Sequence, residues 1–202
     1  GGTALHCASQ KGHIDIILYL LGQGADINQE DDRGDSSLMK ACYGHYPETV
    51  AVLRKNGANI NHQNKEGNTA LHIAAMQGRT HTLDCLLPAN PAILKNKDGL
   101  TPVEAAGWAG REATLYMLIT RLEAPAKERI RATKLMAAFH LHAMWDSQAA
   151  NRWYQKSRDI REAFPEEDER APEDEVTAAL EPWKPAFPLE IKGQSNLMRS
   201  WH

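Results

Sequence analysis

The chain has 202 residues, of which 42% are hydrophobic and 24% charged, and its formal net charge is -3. That length accommodates one or two domains, and the composition is that of an ordinary globular protein. The near balance of charge gives no overall basic signal for nucleic acid, and no run of about 18 apolar residues is present to cross a membrane.

The chain opens at Gly1-Gly2-Thr3, part-way through a unit that recurs further on, so it is expected to be a piece of a longer protein. Three cysteines, Cys7, Cys42 and Cys85, are odd in number and lack metal-site spacing. Each falls in a predicted helix, where a free thiol behaves as a small buried hydrophobe, and an intracellular, reducing compartment fits them. The expected location is the cytoplasm, with the nucleus as a further one.

Taken in order, the first predicted element starts at Gly2-Thr3-Ala4-Leu5-His6-Cys7-Ala8. It recurs 33 residues on as Asp35-Ser36-Ser37-Leu38-Met39-Lys40-Ala41 and two periods on from Thr69. A fourth copy, Thr101-Pro102-Val103-Glu104-Ala105-Ala106, follows after 32 residues. The best-preserved copy spans Gly67 to Leu87. A 33-residue period opening T-P-L-H-x-A is the sequence signature of one repeat architecture, and on these residues the chain resembles the ankyrin-repeat family. The resemblance implies an all-α solenoid of helix-turn-helix repeats with short β-hairpin loops, here at 1–32, 33–65, 66–98 and 99–122.

Physical chemistry supports each part of the unit. The opening Thr can cap its helix, and Pro102 suits a first helical position. Leu5, Leu38, Leu71 and Val103 recur at one place and should face the next repeat, while Ala8, Ala41, Ala74 and Ala106 allow close helix approach. Gly12, Gly78 and Gly110 fall where the first helix ends, a left-handed position. The second helices are predicted from Ile14 to Leu21, Pro47 to Arg54, Thr80 to Leu87 and Glu112 to Ile119, with apolar residues three apart on one face. Hairpin turns follow at Asp32-Arg33-Gly34, Lys65-Glu66-Gly67 and Lys97-Asp98-Gly99. Two repeats depart from the pattern. The second has Tyr43-Gly44-His45-Tyr46 at its helix end, and the third has Pro88 and Pro91 in place of a Gly-Ala-Asp turn, so its hairpin is expected to be altered. The fourth ends at Thr120-Arg121 and is expected to end the stack.

Beyond Pro125, residues 125–164 read as two helices, about Lys127 to Met144 and Ser147 to Phe164, which should pack on the last repeat. Ile130, Leu135, Met136, Phe139 and Met144 form the apolar face of one, and Ala149, Trp153 and Ile160 that of the other. The hairpin is similar to a degenerate tetratricopeptide unit. Residues 121–161 hold nine Lys or Arg against four Asp or Glu, and Pro165 to Glu175 holds seven acids and one Arg. The acidic run and the Pro-containing remainder, 165–202, are expected to form an irregular, extended tail. The segments Arg131 to Phe139 and Ala149 to Tyr154, placed directly after ankyrin repeats, resemble the feminization (Fem) family. Membership would imply a substrate receptor of a cullin-RING ubiquitin ligase, binding C-terminal peptides of its targets and reaching elongin and cullin through regions absent here.

Catalysis finds no support. There is no phosphate-cradling glycine loop, no H-E-x-x-H and no G-x-S-x-G. His6 and His72 are expected to hydrogen-bond neighbouring loops. His140 and His142, two apart on a helix, point to different faces and do not share a metal. The expectation is a non-enzyme without cofactor or metal, and a protein-binding surface on the concave side. The candidate residues are Asp31, Asp32, Arg33 and Asp35 at the first turn, Lys65 at the next, and Gln10, Tyr43, His45, Met76 and Trp108 at helix ends. Asp31, Asp32 and Asp35 form an acidic edge suited to a basic residue of a bound peptide. The alternative reading is a general ankyrin scaffold or inhibitor with another protein partner.

Overall fold

The structure, a computed structural model, describes residues 2–163 apart from 123, 143 and 145, with the backbone alone at 141, 142 and 147. These residues belong to one unit, Gly1–Glu169; the acidic run and the tail expected from residue 165 on lie outside the described residues. Four helix pairs come first: α1 (Ala4–Lys11) with α2 (Ile14–Gly22), α3 (Ser37–Gly44) with α4 (Pro47–Lys55), α5 (Ala70–Gln77) with α6 (Thr80–Leu86), and α7 (Pro102–Trp108) with α8 (Glu112–Arg121). Two longer helices follow, α9 (Ala126–His142) and α10 (Ser147–Ala163). The fold is the all-α repeat solenoid expected from the period. Among the described residues there is no strand; the expected hairpins are tight turns, with a single bridge between Glu30 and Ser36.

Each inner helix starts on its cap. The hydroxyls of Thr3, Ser36, Thr69 and Thr101 accept from the backbone N–H three residues on, at 3.4–3.5 Å. In three repeats the third residue answers: His6 Nδ1, His72 Nδ1 and Glu104 Oε2 accept from the cap's own N–H at 3.1, 3.2 and 2.8 Å. This reciprocal pair satisfies two backbone donors that the helix leaves unpaired. Met39 stands at that position in the second repeat, and a thioether cannot complete the box. The first helices end in left-handed backbone at Gly12 and Gly78 (φ +74° for both) and at Gly110 (φ +67°). In the second repeat the same place is held by His45, at φ +66°, a conformation that costs a side-chain-bearing residue energy.

Helices of seven to ten residues are too short to stand alone in water, so stacking stabilises them. Inner helices α1, α3, α5 and α7 pack in succession, and outer helices α4, α6 and α8 do the same behind them. Leu38, Leu71 and Val103 are fully buried at the equivalent positions, as are Val50, Leu53, Leu83, Leu86, Leu115 and Leu118 of the outer helices. Helix α9 then packs along α7 as a further inner helix would, and α10 covers α9. Gly107 makes this approach possible, because a Cβ there would run into the carbonyl oxygen of Ala132.

Four details differ from the sequence expectations. The turn of the third repeat is intact: Gly99 N–H donates to Asn96 O and Asn96 N–H to Leu100 O, at 3.0 and 2.9 Å. Pro88 acts earlier, where α6 tightens into a 3₁₀ turn over Leu87–Ala89. Met144 lies past the end of α9 and is 62% exposed, because the chain has already turned toward the cap of α10 at Asp146. Cys7 is exposed, since it sits on the inner face at the position Lys40 occupies one repeat later, whereas Cys42 is buried as expected. His6 and His72 do bridge repeats, as described next.

Candidate protein-binding surface

The turns between repeats are built on one side chain each. Asp31 Oδ1 accepts from the N–H groups of Arg33 and Asp35 at 2.8 and 2.9 Å. Asn64 Oδ1 does the same for Glu66 and Asn68, and Asn96 Oδ1 for Asp98 and Leu100. Such side-chain-to-backbone bonds fix a turn locally. The turns are then joined to one another: Lys65 N–H donates to Arg33 O and Lys97 N–H to Glu66 O, both at 3.0 Å. From the helices, His6 Nε2 donates to Asp35 O at 2.9 Å and His72 Nε2 to Leu100 O at 3.0 Å, each in the following repeat. With Nδ1 accepting from the cap, both rings are neutral with the proton on Nε2. Burial holds the His72 imidazole below the ordinary histidine range.

Much of the predicted acidic edge faces inward. Asp35 is 1% exposed. Its carboxylate accepts from Lys40 Nζ at 2.7 Å and from Asn64 Nδ2, in the next turn, at 2.8 Å. Lys40 also reaches Asp31 at 2.7 Å. Burial alone would raise the Asp31 carboxyl, but Lys40 and the N–H groups of Asp35 and Arg33 together hold it down at about 2. Lys40 thus engages both carboxylates from within and offsets one of their two charges. Asp32, Arg33 and Lys65 remain at the exposed tips, where Lys65 Nζ donates to Asp32 O at 2.7 Å.

Four candidates come together as one set. Gln10, Tyr43, Met76 and Trp108 are separated by 33, 33 and 32 residues, so they hold the same place on four successive, packed inner helices. They form a row along the inner face, Gln10 exposed and the other three half-buried. Just past each row position the helix turns, and those turns carry Lys11, His13, His45, Arg79 and Arg111 with no Asp or Glu. Arg79 reaches back one repeat to His45 Nε2, and Arg111 Nε reaches back to Met76 O at 2.9 Å. Burial first and the Arg79 charge second keep His45 below the usual imidazole range. The two arginines and Lys40 escaped the sequence reading. Their signal was a position rather than a motif: Arg79 and Arg111 each follow the helix-ending glycine.

A second feature is an open groove of about 200 Å³ where α8 meets α9 and α10, lined by Tyr116, Ile119, Trp153 and Ile160 with Lys156 and Asp159. Lys156 Nζ lies 4.2 Å from the Trp153 ring centre and 5.7 Å from that of Tyr116. No group of three His, Cys, Asp or Glu able to hold a metal is found among the described residues, and none of their helices is long and apolar enough to cross a membrane.

Comparison with known proteins agrees with this geometry. The family model for ankyrin repeats, in three copies, matches residues 1–64 and 38–128. The chain is 40% identical over 87 residues to the probable E3 ubiquitin-protein ligase XBOS32 of Oryza sativa subsp. japonica, which is 42% of this chain and 17% of that protein. It is 35% identical over 103 residues to the E3 ubiquitin-protein ligase XBAT32 of Arabidopsis thaliana, 47% of this chain and 20% of that protein. It is also 40% identical over 76 residues to the transient receptor potential cation channel subfamily A member 1 of Drosophila melanogaster, 38% of this chain and 6% of the channel. The chain thus spans a fifth or less of the length of these relatives.

Proposed function

The chain belongs to the ankyrin-repeat family, and from that premise we propose that it is a non-catalytic protein-binding module, the substrate-recognition part of a ubiquitin ligase. The observation that carries the binding role is the row Gln10, Tyr43, Met76 and Trp108. Half-exposed aromatic and Met side chains on a rigid scaffold, beside arginines, are what protein interfaces use as anchors. The ligase context is supported by relatives named as E3 ubiquitin-protein ligases. Ubiquitin transfer itself would be done by partner enzymes. The resemblance of the α9–α10 hairpin to the Fem family adds a finer reading, with elongin and a cullin as assembly partners and C-terminal peptides as substrates.

Affinity purification of the protein from cells tests the assembly. Elongin B and C with a cullin should co-purify in near-stoichiometric amounts; their clean absence would sink the cullin-RING reading. The second reading, a general scaffold or inhibitor, is supported by the 76-residue match to an ion channel. It predicts a stable protein partner without ubiquitylation of that partner.

A further inference from the structure

We propose that the inner face of the stack takes an acidic peptide in polyproline II conformation, with apolar side chains every third residue against Tyr43, Met76 and Trp108 and carboxylates on Arg79 and Arg111. The inference rests on the protein-binding reading above and deepens it by naming the chemistry of the partner.

Spacing comes first. Packed helices lie about 8–10 Å apart, so the row offers one seat at that interval. A polyproline II chain has three residues per turn and rises about 3.1 Å per residue, which returns the same face every ~9 Å. A β-strand, with its two-residue alternation, would present every third side chain to opposite sides. The row therefore selects the three-residue periodicity. Such a peptide also loses little entropy on binding, because its free form is already extended.

Charge comes second. The four helix turns beside the row carry Lys11, His13, His45, Arg79 and Arg111 and no carboxylate. Arg111 contacts the carbonyl of Met76 and Arg79 contacts His45, so each guanidinium stands between one seat and the next. Asp35 and Glu66 lie close enough to Tyr43 to act on its hydroxyl, while the acids beside the two arginine turns are engaged elsewhere. Glu48 acts on Cys85 of the outer helix α6, and Glu112 accepts from Trp153 Nε1 at 2.9 Å and meets His140 at 2.8 Å, both on the terminal hairpin. Asp31 and Asp35 are engaged by Lys40. Arginine is the side chain whose planar fork best matches a carboxylate.

The test is fluorescence anisotropy of a labelled peptide of four Leu-Glu-Pro units titrated with the 202-residue chain. Two control peptides carry Lys in place of Glu, or the same composition with Leu at two-residue spacing. The Leu-Glu-Pro peptide should bind at least about tenfold more tightly than either control. The double variant Arg79→Glu/Arg111→Glu, its fold checked by circular dichroism, should lose that peptide and gain the Leu-Lys-Pro one. Met76→Glu should weaken binding by a similar factor. Equal affinity for the acidic and basic peptides, equal affinity for both spacings, or no binding up to about 1 mM overturns the proposal. Failure here leaves the elongin and cullin experiment unaffected, and failure of that experiment leaves this titration unaffected.

Discussion

Glu104 of α7 and Arg131 of α9 form a buried ion pair, with Arg131 Nη1 3.3 Å from Glu104 Oε1 and side-chain exposures of 14% and 3% for the arginine and the glutamate. Glu104 stands where His6 and His72 stand in earlier repeats. There the imidazole donates to a carbonyl of the next turn; here the carboxylate pairs with a charge on the terminal hairpin. Glu104 also closes the cap of its own helix through Thr101 N–H. Its replacement by Ala removes the carboxylate from beside the Arg131 guanidinium and opens the cap. The expected loss is about 3–5 kcal/mol in urea denaturation. Glu104→Gln keeps a cap acceptor and should lose less.

The junction between α7 and α9 admits no extra atom at Gly107. Gly107→Ala is expected to push the hairpin off the stack and cost about 1–3 kcal/mol, read as a fall in Tm with a change in Trp153 fluorescence. Gly24 is the control: its φ is +84° and nothing lies within 4 Å of a Cβ there. Gly24→Ala should cost about 1 kcal/mol from backbone conformation alone and leave the fluorescence unchanged.

In the middle of the stack, Leu71 is fully buried between repeats. Leu71→Ala should destabilise by about 2–5 kcal/mol. Because neighbours share each interface, hydrogen exchange should accelerate in α3 and α7 as well as in α5.

The Asp31 carboxyl sits at about 2 in the folded chain, below its ordinary value of 3.8. A depressed carboxylate contributes stability that is complete above the ordinary value and is lost as pH falls through the folded one. The contribution should therefore disappear between about pH 4 and pH 2. Urea midpoints of wild type and Asp31→Asn, measured across that range, should differ at pH 6 and converge at pH 2.

His72 behaves with the opposite chemistry. Burial depresses its imidazole below 6.5, so the unfolded chain takes up a proton that the folded one refuses. Stability is full above about pH 6.5 and falls as pH drops below it. A variant that removes the titration, His72→Gln, should show a flatter stability profile between pH 7 and pH 5, whatever its absolute loss from the missing bond to Leu100. An unchanged slope would show that other histidines dominate that range.

The caps at Thr3, Thr69 and Thr101 and the helix-ending glycines were legible because each depends on residues within four positions of one another. The row Gln10, Tyr43, Met76 and Trp108 was legible through the period. What the sequence hid are partnerships across repeats. Asp35 reads as a surface acid until Asn64, 29 residues on, and Lys40 are placed against it. Arg79 and Arg111 read as solvated charges until their reach to the previous repeat is seen. Met144 fails for another reason: a helical period cannot say where the helix stops.

The glycine that lets α9 approach has a consequence for how this array can be edited. Counting back 32 residues, a copy of the third repeat would put Ala75 at the position of Gly107 and His72 at that of Glu104. The fourth repeat is thus a keyed end piece rather than one more interchangeable module. Duplicating or deleting units ahead of Thr101 leaves the hairpin its socket. A consensus repeat grafted in the fourth place would fit its upstream neighbour and present the hairpin with a lock cut for a different key.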